Sequence, residues 1–187
     1  MAEAGLVSEG ALPAEGEAPR SGASARFVEA LTSHQSLVFS LAYHFLRNAA
    51  LAEEIAQEVF LRLFQDLDRV GGPAHLLHWL RRTTTHRCLD VLRRSGHRRQ
   101  VPLDDVEIPA PCPAEPDPLV ARDVRRLVSR LPPTARAVIV LRYQEDLDPR
   151  EIADILGVPV NTVKSRLQRA LAVLRGRLAS LEETRHA

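Results

Sequence analysis

The stretch Asp148-Pro149-Arg150-Glu151-Ile152-Ala153-Asp154-Ile155-Leu156-Gly157-Val158-Pro159-Val160-Asn161-Thr162-Val163-Lys164-Ser165-Arg166-Leu167-Gln168-Arg169-Ala170 reads as two helices joined at a glycine corner. Asp148 can cap the first helix, Pro149 suits its first position, and Glu151 lies three residues after the cap, where it completes a capping box. Ile152, Ile155 and Leu156 form the buried stripe. Gly157 stands where the chain must turn left-handed, which a residue with a side chain does poorly. In the second helix Val163, Leu167, Ala170 and Leu174 face inward at helical spacing. The outward set is Thr162, Ser165, Gln168 and Arg169, flanked by Lys164 and Arg166. No acidic residue occurs between Val160 and Ala179, so this face can approach phosphate without repulsion. A solvated basic face on a plain helical hairpin is the simpler alternative. Cap, corner and base-reading side chains together favour a helix-turn-helix shaped for a DNA groove.

The rest of the chain bounds the setting. With 187 residues, 26% of them charged, there is room for one medium domain or two small ones. No stretch approaches the roughly 20 apolar residues of a membrane span. Nor does the N-terminus show a basic segment followed by an apolar core, so the expectation is a cytoplasmic protein with no membrane insertion. Net charge is only +1, but the charge is segregated along the chain. Lys164 is the single lysine; the other cations are arginines, whose planar fork suits phosphate and guanine edges alike. Cys88 and Cys112 lack the spacing of a disulfide framework. His75, His78, His86 and Cys88 lack the second thiol of a zinc motif, so neither metal nor cofactor is expected.

Residues 1–24 are rich in Ala, Glu, Gly and Pro and are expected to form a disordered tail. Helical periodicity then runs through residues 25–97, carried by Phe27, Leu31, Val38, Leu41 and Phe45, then Ile55, Val59 and Leu63, then Leu80, Cys88 and Val91. Residues 98–118 change character: repeated prolines forbid a continuous helix, and every charge beyond Gln100 is acidic. Helical pattern returns over 119–181, with 182–187 as a short tail. Nothing alternates with strand period. The expected fold is all-α: two small helical domains joined by a flexible, Pro-rich acidic linker, the second containing the helix-turn-helix.

Two further faces stand out in the first domain. Around Ile55, Val59 and Leu63, residues Glu54, Gln57 and Glu58 share the opposite, exposed side, an acidic strip suited to docking. In the third helical run Arg82, His86 and Arg93 fall in one narrow sector opposite Leu80, Thr84 and Val91, with Trp79 at the edge and Arg94 adding charge. Cations that hold phosphates beside a ring that can receive an unstacked base suit strand separation. A lone tryptophan is, however, more often core.

Taken together, Ala52-Glu53-Glu54-Ile55-Ala56-Gln57-Glu58, Trp79-Leu80 with Asp90-Val91-Leu92-Arg93-Arg94, and Glu151-Ile152-Ala153 with Thr162-Val163-Lys164-Ser165-Arg166 and Arg169-Ala170 resemble the extracytoplasmic-function group of bacterial sigma factors. The resemblance runs from Phe27 to Arg177. It implies a region 2, a linker in place of the middle domain of larger sigma factors, and a region 4. It further implies that Glu54, Gln57 and Glu58 bind core RNA polymerase. Trp79, Arg82, His86, Arg93 and Arg94 would contact the minus-10 element of promoter DNA. Thr162, Lys164, Ser165, Arg166, Gln168 and Arg169 would contact the minus-35 element. The acidic linker would thread the RNA exit path, and an anti-sigma factor is an open further partner. The chain departs from the family at His86, where asparagine is usual, at Thr83 and Thr84, where aliphatics are, and at Pro159, in place of the serine cap.

The rival reading is a conventional helix-turn-helix regulator with a helical sensing domain, which explains Thr162 to Arg169 but not the acidic strip. No nucleotide loop, nucleophile elbow or metal-ligand set supports an enzyme.

Overall fold

A computed structural model describes residues 18–95 and 118–186, and every regular element among them is helical. The expected linker falls almost wholly outside the described residues, as does Cys112. The first helix, α1 (Ala18–Leu46), begins inside the segment expected to be a tail. Ala23 and Phe27 pack on the core, so the helix has an anchored turn to propagate from. Arg47 ends it in the left-handed region, φ 53°, donating its N–H to Tyr43 O at 2.8 Å. Asn48 then caps α2 (Ala49–Asp66), its side chain accepting the Leu51 N–H at 3.0 Å.

The inward stripe of α2, Ile55, Val59 and Leu63, closes on Val38, Leu41 and Phe45 of α1. A 3₁₀ turn at Leu67–Arg69 leads to α3 (Pro73–Ser95), which completes the bundle with Leu80, Thr84 and Cys88. Thr84 is fully buried because its hydroxyl donates to Leu80 O at 2.7 Å. Burial also pushes the Cys88 thiol well above its ordinary range, so it is a packing group.

The second half comprises α4 (Pro118–Ser129), α5 (Pro133–Tyr143), α6 (Pro149–Leu156) and α7 (Val160–His186). Both expected helical units are thus present, and they pack on one another through α5. Ala137, Val138, Ile139, Val140 and Leu141 are all buried. Ala137, Val138, Val140 and Leu141 join the core of the first three helices, while Ile139 packs with Leu127, Ala170 and Leu174 on the other side.

Arg136 secures that seam. It donates to Phe45 O of α1 at 2.7 Å and to Ser129 O at the end of α4, with Leu131 O 3.5 Å away. Phe45 O and Ser129 O are helix-terminal carbonyls that lack an intrahelical donor. Burial pushes the guanidinium down to about 10. At the other end α7 runs to His186, past the expected boundary at 181, because no proline and no glycine after Gly176 stops it.

Candidate nucleic-acid interface

The helix-turn-helix forms as its local signals dictate. Asp148 accepts the Arg150 N–H at 2.6 Å and the Glu151 N–H at 2.9 Å, and Glu151 returns a carboxylate oxygen to the Asp148 N–H at 2.7 Å. Those two donors, Glu151 N–H first, hold the Asp148 carboxyl below its usual range. Gly157 takes φ 64° and ψ 38°, and its N–H returns to Ala153 O. Ile152 and Ile155 are buried, and Leu156, expected in the same stripe, is half-buried beside the turn.

At the head of α7 the Pro159 carbonyl accepts the Thr162 and Val163 N–H groups at 2.9 and 3.2 Å, so the first turn forms without the serine cap. Val163 and Ala170 point inward, while Lys164, Gln168 and Arg169 are exposed and Thr162, Ser165 and Arg166 are half-buried. Arg169 is held over the preceding turn, donating to Ser165 O and Ser165 Oγ, each at 3.2 Å. A guanidinium preset in this way loses less freedom when it binds a ligand.

On α3 the expected basic sector is real, but its members divide. Arg93 and Arg94 are exposed, Arg93 pairing with Asp90 at 3.3 Å. Trp79 is half-buried and packs against the core. Arg82 and His86 reach across to the helix-turn-helix: Arg82 donates to Asp154 O and His86 Nε2 to Ile155 O, both at 2.8 Å. A carbonyl only accepts, so Nε2 carries the proton. Beside them Arg81 pairs with Glu145, in the turn between α5 and α6, at 2.8 Å. Burial raises the Glu145 carboxyl, with the arginine opposing.

The strip on α2 is also divided. Glu54 and Gln57 are exposed, whereas Glu58 pairs with Arg87 of α3 at 2.8 Å. Next to Gln57 lies an apolar groove of about 620 Å³ between α1 and α2, bordered by Phe27, Leu31, Phe39, Phe60 and Leu61. Leu61 is 67% exposed and Phe64 56%. Sequence reasoning missed both, although Phe60-Leu61-Arg62-Leu63-Phe64 holds more large apolar side chains than one buried face accommodates. Among the described residues no helix is long and apolar enough to cross a membrane.

Residues 30–98 match the sigma-70 region 2 family and residues 121–174 match sigma-70 region 4. RNA polymerase sigma factor SigV of Bacillus subtilis is 30% identical over 151 residues, covering 81% of this chain and 90% of that protein. ECF RNA polymerase sigma factor SigM of Mycobacterium tuberculosis is 32% identical, covering 83% and 76%. The chain belongs to the extracytoplasmic-function sigma factors. Other members are longer: the chain spans 61% of SigE of Mycolicibacterium smegmatis, to which it is 36% identical. It spans only 40% of probable sigma factor RfaY of Xanthomonas campestris, at 35% identity. The fold is that of the sigma factor RpoE of Bartonella quintana, solved with the anti-sigma factor NepR: TM-score 0.65, 22% identity, 82% of this chain and 97% of that one. In this sigma factor the region 2 match spans α1 after its first turns through α3, and the region 4 match spans α4 through the middle of α7.

Proposed function

We propose that this sigma factor directs core RNA polymerase to its own set of promoters, acting in the cytoplasm and without catalytic chemistry of its own. Lys164, Ser165, Gln168 and Arg169, with Thr162 and Arg166 beside them, read the minus-35 element in the major groove. Trp79, Arg82, His86, Arg93 and Arg94 hold the minus-10 element as it opens. Glu54, Gln57 and Glu58 dock on core polymerase, with the apolar groove next to Gln57 receiving aliphatic side chains of that partner or of an anti-sigma factor. The observation that carries this reading is the pairing, in one chain, of a helix-turn-helix whose second helix carries no acid over residues 160–179 with an acidic and apolar docking face on α2. A conventional regulator has use for the first and none for the second.

The test is reconstitution with core polymerase on a library of genomic fragments, followed by sequencing of the transcripts. Start sites sharing two spaced elements, absent with core alone, are expected. Binding to duplex DNA without core, and no core-dependent transcription, would favour the regulator.

A further inference from the structure

A cavity of about 390 Å³ has one wall from α1 and the other from α4, α5 and α7. That volume lies within the range of small-molecule sites, about 300–1,000 Å³. We propose that it binds a free aliphatic monocarboxylate, the anion of a medium-chain fatty acid, with the chain on its aliphatic wall and the carboxylate among its arginines.

The wall is apolar at its base. Ile139, Val140 and Leu174 are buried there, and Val128, Leu171 and Leu178 are half-buried beside them. Each methylene taken from water onto such a surface is worth about fourfold in affinity.

The charged groups are all of one sign. Arg47, Arg125 and Arg175 line the cavity, and no carboxylate of the described residues does. Arg47 is half-buried and laid against the Tyr43 ring, 4.6 Å from its centroid. Arg125 and Arg175 are exposed and enter no ion pair among the described residues. His44 completes the set: burial first, then the charges of Arg47 and Arg125, keep its imidazole in the neutral form at neutral pH. It therefore offers an N–H donor without a further charge.

Cations gathered around an apolar cavity with no acid to offset them favour an occupant that carries negative charge on an aliphatic body. A guanidinium meets a carboxylate through two parallel hydrogen bonds. Tyr143 is 57% exposed, so the wall offers no pair of rings to enclose a nucleobase, which disfavours a nucleotide as the anion. Because the walls close from two sides, a free molecule fits better than a lipid held in a bilayer.

The experiment is calorimetry on the full chain with hexanoate, octanoate and decanoate, each below its micelle concentration. One molecule should bind per chain, and each added pair of methylenes should tighten binding about tenfold. Octanol, with the same chain and no charge, should bind at least tenfold more weakly than octanoate. Arg125→Glu and Arg175→Glu should each weaken decanoate at least tenfold. Arg177→Glu makes the same charge change on α7 but borders a different groove, so it should leave decanoate binding unchanged. All three arginines are exposed, and circular dichroism should show each variant folded. The imidazole proton resonance missing from His44→Gln should move, in the wild-type chain, with the calorimetric midpoint.

Absence of saturable binding overturns the proposal, as does uptake of many molecules per chain. Equal affinity for octanol and octanoate removes the carboxylate from the recognition. Equal weakening by Arg177→Glu and Arg125→Glu shows attraction to overall charge and refutes the site. Sedimentation with phosphatidylglycerol vesicles, in a chain that does not bind decanoate, replaces the free acid with a lipid surface.

Discussion

His44 shows how one side chain registers the packing of the two halves. It sits near the end of α1, beside a cavity of about 390 Å³ that is also lined by Arg125, Val128 and Ile139 from the second half. Burial first, then the charges of Arg47 and Arg125, push its imidazole down to about 4. The unfolded chain binds a proton there from its ordinary value of 6.5 downward, while the folded chain does so only near 4. Between those values the unfolded state holds more protons, so stability falls as pH drops through the window and recovers as it rises. His44→Gln should flatten that part of the profile by on the order of 2–3 kcal/mol, read as the difference between wild-type and variant urea midpoints across pH. On α7, Arg169 and Lys164 divide differently. Arg169, preset on Ser165, should read one base, so Arg169→Ala changes the preferred sequences in a randomised minus-35 library. Loss of a bidentate contact costs about 1–3 kcal/mol at that position. Lys164→Ala should instead weaken all sequences together and reduce the salt dependence.

At the scale of the element, Gly157 sets the angle between α6 and α7. An added Cβ would meet nothing within 4 Å, so Gly157→Ala pays only for the left-handed backbone. It should cost about 1–2 kcal/mol in a thermal melt. The structure also changes how α2 is tested for polymerase docking. Glu58→Lys would place a cation against Arg87, mixing stability with binding. Glu54 is exposed, so Glu54→Lys should weaken a core pull-down while moving stability by no more than about 0.5 kcal/mol. These elements show what a sequence makes legible. The capping box, the left-handed glycine and the acid-free face of α7 are written within a few residues of where they act. The contacts of Arg82 and His86 join residues 72 and 69 positions apart, and no periodicity reports them. One nonlocal feature did leave a signal. The run Ala137-Val138-Ile139-Val140-Leu141 offers no polar face, and a helix apolar all round must be covered all round.

For the whole molecule, that coverage decides whether the halves unfold separately or together. With α5 shared between two cores, neither half keeps its packing once the other is gone, so a single cooperative transition is expected. The chain carries its own probe. Trp79, its only tryptophan, lies on α3 in the first half, while far-ultraviolet circular dichroism averages over all helices. Urea curves from the two signals should coincide. Arg136 is the point at which to test the coupling, because its guanidinium reaches Phe45 O in the first half and Ser129 O in the second. Arg136→Met retains much of the volume but leaves those helix-terminal carbonyls without their donor, at an expected cost of about 2–4 kcal/mol. If the halves are coupled, the tryptophan and circular-dichroism midpoints fall together by that amount. A fall in the circular-dichroism midpoint alone, with Trp79 unmoved, would mean that the first three helices stand without the seam.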